Sequence, residues 1–156
     1  MDYLKKLGFD EAINYKTTPD IDQAIAAAAP QGIDCYFDNV GGPITDAVYN
    51  HLNKHARIAI CGQISMYNAT AVPVGPRPES KLLTTSSLMK GFIVSDYLPR
   101  WPEGVQQLGE WYRQGKLQFE ETITEGFDQI PAAFLGLFEG DNTGKAVVKV
   151  AELAAA

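Results

Sequence analysis

The 156-residue sequence is short of several things, and each shortage removes a class of function. No apolar run approaches the roughly 20 residues that cross a bilayer, so no membrane-spanning helix is expected. Positive charge is scarce: 13 Lys and Arg stand against 19 Asp and Glu, which leaves no basic stripe for a nucleic-acid backbone. The opening Met1-Asp-Tyr-Leu-Lys-Lys lacks the apolar stretch of a secretory signal. Only two cysteines are present, Cys35 and Cys61, each inside an apolar strand pattern where cysteine is usually an inert small hydrophobe. They argue against a disulfide or zinc framework and for a reducing, cytoplasmic setting. Two histidines leave little from which to build a catalytic triad. His51 and His55 read as a solvated helix end, because no Glu follows the first and neither lies at a strand end. A G-x-G-x-x-G turn is missing. Gly140-Asp-Asn-Thr-Gly-Lys145 looks like a phosphate loop but is one spacer short, and Ala146 stands where a magnesium-binding hydroxyl is needed.

What remains is an alternation of strand and helix signals in a chain of single-domain length, and it predicts an α/β fold with a mostly parallel sheet. Residues 2–7 read as the last turns of a helix, with Gly8 as its left-handed stop. A domain rarely begins that way, so an upstream segment is expected to be missing. Strands are expected at 12–15, 33–38, 57–61, 88–94, 119–124 and 145–150. Helices are expected at 19–29, 45–52, 79–87, 102–115 and 128–138, with Val105, Leu108 and Tyr112 on one face. Residues 68–78, rich in Pro and Gly, read as a loop. The organising stretch is Ile33-Asp-Cys-Tyr-Phe-Asp-Asn-Val-Gly-Gly42 followed by Arg57-Ile-Ala-Ile-Cys-Gly-Gln-Ile-Ser-Met-Tyr67, one strand–helix–strand unit. Ligands of such sheets sit outside the carboxyl ends of the strands, which here carry Asp38, Asn39, Gly41, Gly42 and residues 62–68. Gly41-Gly42 could bring backbone close to a cofactor or simply make a tight turn, and spacing alone favours the turn. Tyr67 could donate to a developing oxyanion or be an ordinary surface tyrosine, and spacing alone favours the latter.

The same stretches, with Tyr-Leu-Lys-Lys-Leu-Gly-Phe-Asp, Ala-Ile-Asn-Tyr-Lys, Met-Lys-Gly-Phe-Ile-Val and Gly-Asp-Asn-Thr-Gly-Lys-Ala-Val-Val-Lys-Val, closely resemble one family. It is the zinc-independent branch of the medium-chain dehydrogenases/reductases that holds leukotriene B4 12-hydroxydehydrogenase, the prostaglandin reductases and the 2-alkenal (double-bond) reductases. The resemblance runs from about residue 2 to 150 and implies an incomplete Rossmann-type doubly wound parallel sheet. The first two strands and the glycine-rich turn would be absent. Residues 1–115 would be the partial nucleotide-binding domain and 116–156 a return segment on the catalytic-domain side. The implied cofactor is NADP(H). Tyr15 matches the residue that meets the adenosine 2′-phosphate, and Asn39, Val40 and Gly41 match a cofactor-lining turn. Cys61, Gly62, Gln63, Ile64, Ser65, Met66 and Tyr67 match the loop past the nicotinamide, although position 63 is often small in the family. Phe92, Ile93 and Val94 match the segment that holds the carboxamide through backbone groups, and Asn142 matches an asparagine that closes over the cofactor. In the family a hydride passes to the β-carbon of an α,β-unsaturated aldehyde or ketone, and Tyr67 would stabilise the enolate. A homodimer through the 88–94 edge strand is implied as well. Competing readings are a quinone oxidoreductase fragment and a non-catalytic nucleotide-binding or self-associating module. The chain alone is expected to bind NADPH poorly and to be inactive.

Overall fold

The computed structural model describes residues 1–152; the remainder of the expected return segment, 153–156, lies outside the described residues. The chain forms two compact units, Met1–Pro99 and Arg100–Ala156. In the first, α1 (Asp2–Lys6) ends as its sequence requires. Gly8 takes φ +94°, the Gly8 N–H reaches Lys5 O at 3.0 Å and the Phe9 N–H reaches Leu4 O at 3.2 Å, which closes the last turn. Asp20 caps α2 (Ile21–Ala28), its side chain accepting the Gln23 N–H at 2.9 Å. Then come β1 (Ile33–Asp38), α3 (Pro43–Tyr49), β2 (Leu52–Ile60), α4 (Glu79–Thr85) and β3 (Leu88–Gly91). The strands form one parallel sheet in the order β1-β2-β3, so β1 and β3 are its edges.

The core is small and aliphatic. Ile25 of α2, Ala47 and Val48 of α3, and Leu52, Ala56 and Ile58 of β2 are buried together, with Tyr36, Tyr49, Leu82 and Met89 packed around them. Ala56 and Ile58 point into the core while Arg57 between them is exposed, the two-residue period of a strand with one covered face.

Four expectations are corrected. Residues 12–15 form no strand, because no described strand lies beside them and an extended segment without a partner has no ladder. The helix expected to reach residue 52 stops at Tyr49, and Leu52 instead opens β2 by pairing with Ile33. The pairing then slips to Cys35 opposite Arg57, His55 adopts φ +66°, and Asn53 holds the slack by donating to Gln31 O and Asp34 Oδ1, both at 3.0 Å. Of the two histidines read as a helix end only His51 is at one, its N–H reaching Val48 O at 3.0 Å just past α3 and its Nε2 lying 3.3 Å from Asp22 Oδ1, whereas His55 lies within β2. Finally, β3 ends at Gly91 rather than 94. The chain turns into a 3-10 helix, Val94–Arg100, in which Asp96 bonds the backbone of Ile93 locally and so competes with the ladder.

The second unit holds α5 (Trp101–Arg113), β4 (Glu121–Glu125), α6 (Ile130–Glu139) and β5 (Lys145–Lys149), with β4 and β5 paired in parallel. Pro131 sits harmlessly in the first turn of α6, and Gly140 closes the helix at φ +82°. Gly144 is obligatory in a stricter sense: at φ +73°, an added Cβ would lie 2.0 Å from Glu120 O. No described residue of this unit is buried. Val105, Leu108 and Tyr112 fall on one helical face but are exposed, and the Tyr112 ring rests on Phe119 at 5.2 Å.

Ile58 is 2% exposed and Val105 68% exposed. Ile58→Ala is expected to cost about 2–5 kcal/mol in urea unfolding, and Val105→Ala less than about 1 kcal/mol. Equal costs would refute this placement of the core.

Candidate functional site

The carboxyl end of β1 is tied to its surroundings by one side chain. Asp38 is 3% exposed, and its Oδ1 accepts the N–H groups of Val40 at 3.0 Å and Gly41 at 2.9 Å. Its Oδ2 accepts the Thr45 hydroxyl at 2.7 Å, and Thr45 Oγ1 lies 3.1 Å from the Tyr36 phenol. Because the Thr45 hydrogen is spent on Asp38, Tyr36 is the donor in that contact. Burial pushes the Asp38 carboxyl up, but the bonds from Gly41, Thr45 and Val40 outweigh it and hold the group below its ordinary value. Burial pushes the Tyr36 phenol up to about 12, so it remains a donor. The Asp38 main chain is used too: its carbonyl accepts the N–H groups of Cys61 at 2.7 Å and Gly62 at 3.2 Å. One residue thus joins the β1 turn to the loop that leaves β2.

That loop coils into a short 3-10 helix, Ile64–Met66, and is sewn back to the β1 turn. Ser65 N–H and Oγ both donate to Val40 O, at 3.0 and 2.6 Å, and Ile64 N–H reaches Asn39 O at 3.4 Å. Tyr67 folds over the loop, its phenol oxygen accepting the Gln63 N–H at 3.1 Å. Asn39 and Tyr67 converge on Gly62, where a Cβ would stand 2.5 Å from Asn39 Oδ1 and 2.9 Å from the Tyr67 oxygen. A cavity of about 460 Å³ opens beside them, lined by residues 60–63, Tyr67, residues 91–93 and Asp96. A Cβ at Gly91, on its wall, would meet nothing within 4 Å, so the cavity is open beside the backbone there. A second cavity of about 770 Å³ takes in Gly41, Gln63, Ser65, Met66 and the 69–76 loop.

The residues singled out in the sequence are gathered in part. Asn39, Val40, Gly41, Cys61, Gly62, Gln63, Ile64, Ser65, Met66 and Tyr67 form one bonded cluster at the ends of β1 and β2. Phe92 and Ile93 line the same cavity as Tyr67, while Val94 is exposed at the start of the 3-10 helix. Tyr15 is exposed in a turn and lines neither cavity. Asn142 belongs to the second unit, where its amide donates to Gly144 O at 2.8 Å. Both cysteines, read as inert small hydrophobes within strand patterns, are exposed, because the Cys35 side of β1 is uncovered and Cys61 lies in the loop after β2. The role of the Asp38 side chain had not been read from its place at the strand end, and neither Thr45 nor Asp96 had been singled out. An Asp two and three residues before Val40 and Gly41 is the signature of a side chain that turns its own backbone, and could have marked the first. Among the described residues no group of three or more His, Cys, Asp or Glu could hold a metal ion. The donor set among the described residues does not fit zinc.

The Asp38 carboxyl is lowered in the folded chain relative to the unfolded one, so its contribution to stability is complete above about pH 4 and is lost as pH falls through the lowered value. Asp38→Asn should therefore shrink the loss of urea resistance between pH 7 and pH 3. An equal loss in both proteins would place the acid-sensitive group elsewhere.

The chain has recognisable relatives. A family model described as zinc-binding dehydrogenase matches residues 7–148. The putative NADP-dependent oxidoreductase YfmJ of Bacillus subtilis (strain 168) is 62% identical over 155 residues, covering 97% of this chain and 46% of that protein. Prostaglandin reductase 1 of Rattus norvegicus is 48% identical over 153 residues, covering 94% of this chain and 45% of that protein. The crystal structure of CurA in complex with NADPH from Vibrio vulnificus superposes with a TM-score of 0.88 at 41% identity, covering 97% of this chain and 47% of that one. The chain thus spans about half the length of the curated relatives it matches. With the parallel sheet and the bonded turn at its carboxyl edge, these matches establish that the chain belongs to the zinc-binding dehydrogenase family.

Proposed function

We propose that this chain is the cofactor-binding part of a cytoplasmic NADPH-dependent reductase of α,β-unsaturated aldehydes and ketones. The observation that carries the reading is the convergence of Asn39 and Tyr67 over Gly62, beside a cavity at the carboxyl ends of parallel strands. Support comes from the relative named as an NADP-dependent oxidoreductase and the NADPH complex of CurA. Bound NADPH would supply the hydride that adds to the β-carbon of the enone. The chain's own residues would hold and orient it: Asn39, Val40, Gly41 and residues 61–66 along the loop, and Phe92, Ile93 and Val94 through their backbone. Tyr67 would answer the charge that grows on the carbonyl oxygen. Its oxygen already accepts the Gln63 N–H, so its own proton is free to donate outward. Tyr15 would meet the 2′-phosphate and Asn142 would close over the cofactor. On this reading residues 1–115 serve the nucleotide and 116–156 return toward the catalytic side.

The test joins the amino-terminal half of the Bacillus subtilis relative to this chain and follows NADPH consumption with 2-nonenal. Turnover is expected from the fusion and none from the chain alone. In the fusion, Tyr67→Phe should lower turnover about a hundredfold with little change in NADPH affinity. Tyr15→Phe should weaken NADPH and spare NADH. A folded fusion that binds neither nucleotide sinks the reading. A Tyr67→Phe protein altered only in affinity would remove the tyrosine from the chemistry.

The homodimer belongs to this proposal as well. β3 is a sheet edge, and Leu88 on it is 63% exposed. Leu88→Lys should shift the fusion toward monomer in sedimentation, and an unchanged dimer would count against pairing at this edge.

A further inference from the structure

The cavity beside Tyr67 is lined by backbone, apolar and neutral polar groups with one exception. Asp96 is the sole charged side chain among its described lining residues. It has no ion-pair partner among the described residues. Its one side-chain hydrogen bond is long, Oδ2 accepting the Ile93 N–H at 3.4 Å, while the Asp96 N–H reaches Ile93 O at 3.0 Å. The segment is anchored by Phe92, whose ring meets Tyr97 edge-on at 6.0 Å and Phe37 at 6.3 Å. The result is a solvent-contacting carboxylate without an ion-pair partner at the wall of the cavity, which favours a cation there over a neutral group.

We propose that Asp96 sets the redox-state preference of this cavity, favouring the oxidised, positively charged nicotinamide over the reduced, neutral one. The inference rests on the reading of the chain as NADPH-binding, in which residues 61–67 and 92–94 face the nicotinamide half. NADPH and NADP+ carry the same phosphates, riboses and adenine and differ at the nicotinamide ring, so the field of a carboxylate beside that ring acts mainly on the charge that separates them. Loss of hydride from the cofactor creates that positive charge, and a carboxylate already in place stabilises it without rearrangement. Asp96 stands in contact with solvent, so the bias is modest and falls with salt.

Titration with NADP+ and with NADPH, on the chain as it stands and on the fusion described above, reads the bias without any substrate. Asp96→Asn should weaken NADP+ about three- to tenfold relative to NADPH, with the gap narrowing as sodium chloride rises. Asp96→Glu, which keeps the charge, should stay close to the parent ratio. If both nucleotides weaken equally in Asp96→Asn, or their ratio is unchanged, the inference is wrong while the cofactor reading stands. If neither parent protein binds either nucleotide, the cofactor reading falls and this inference falls with it.

Discussion

The candidate site depends on one buried carboxylate. Asp38 ends β1, turns the next residues through two main-chain bonds, holds the start of α3 through Thr45, and with its carbonyl fixes the first two residues of the loop after β2. Four segments meet at this residue, and an apolar side chain could not substitute, because the Gly41 N–H and the Thr45 hydroxyl would lose their buried acceptor. Burial makes the charge costly, and the three donors repay that cost with the geometry of the turn. The glycines at 41 and 42 are then consequences: with φ of +71° and +68°, they let the backbone follow the path that Asp38 prescribes.

Much of this was legible because it is local. Residues 33–38 carry an apolar run broken by glycine and form β1 over that span, and Gly8 marks a helix end that exists. What failed is what depends on partners. Residues 12–15 have good strand composition but no neighbour, and Leu52 reads as helical until the core claims it for β2. The site was legible by a different route. Spacing alone left Tyr67 an ordinary surface tyrosine, and its place over Gly62 depends on a 3-10 turn without a sequence period. Asp96 escaped notice because the strand was expected to run to residue 94, and the early stop at Gly91 leads into the 3-10 turn whose carboxylate lines the cavity.

The two units differ in what holds them. The first has an aliphatic core, small but continuous across α2, α3 and β2. The second has regular helices and a parallel strand pair but no buried residue among those described, and Phe134, Leu137 and Phe138 of α6 remain exposed. Its order rests on local devices: the Pro starts of α5 and α6, the Gly140 stop, and the close approach of Gly144 to Glu120. Such devices fix conformation without supplying much hydrophobic free energy.

The slip in the β1–β2 pairing has a consequence for how the chain tolerates change in length. Between the pairs Ile33–Leu52 and Cys35–Arg57, counted inclusively, β2 uses six residues where β1 uses three, and the excess bows out at Asn53, Lys54 and His55. All of it lies at the amino end of the strands, opposite the Asp38 turn. From Cys35 to Asp38 the two strands then run in unbroken register. An insertion or deletion near residue 54 would be absorbed by a bow that already exists, and Tyr67 and Gly62 would keep their places. One residue added between Arg57 and Ile60 would have no such refuge and would turn every later side chain to the opposite face.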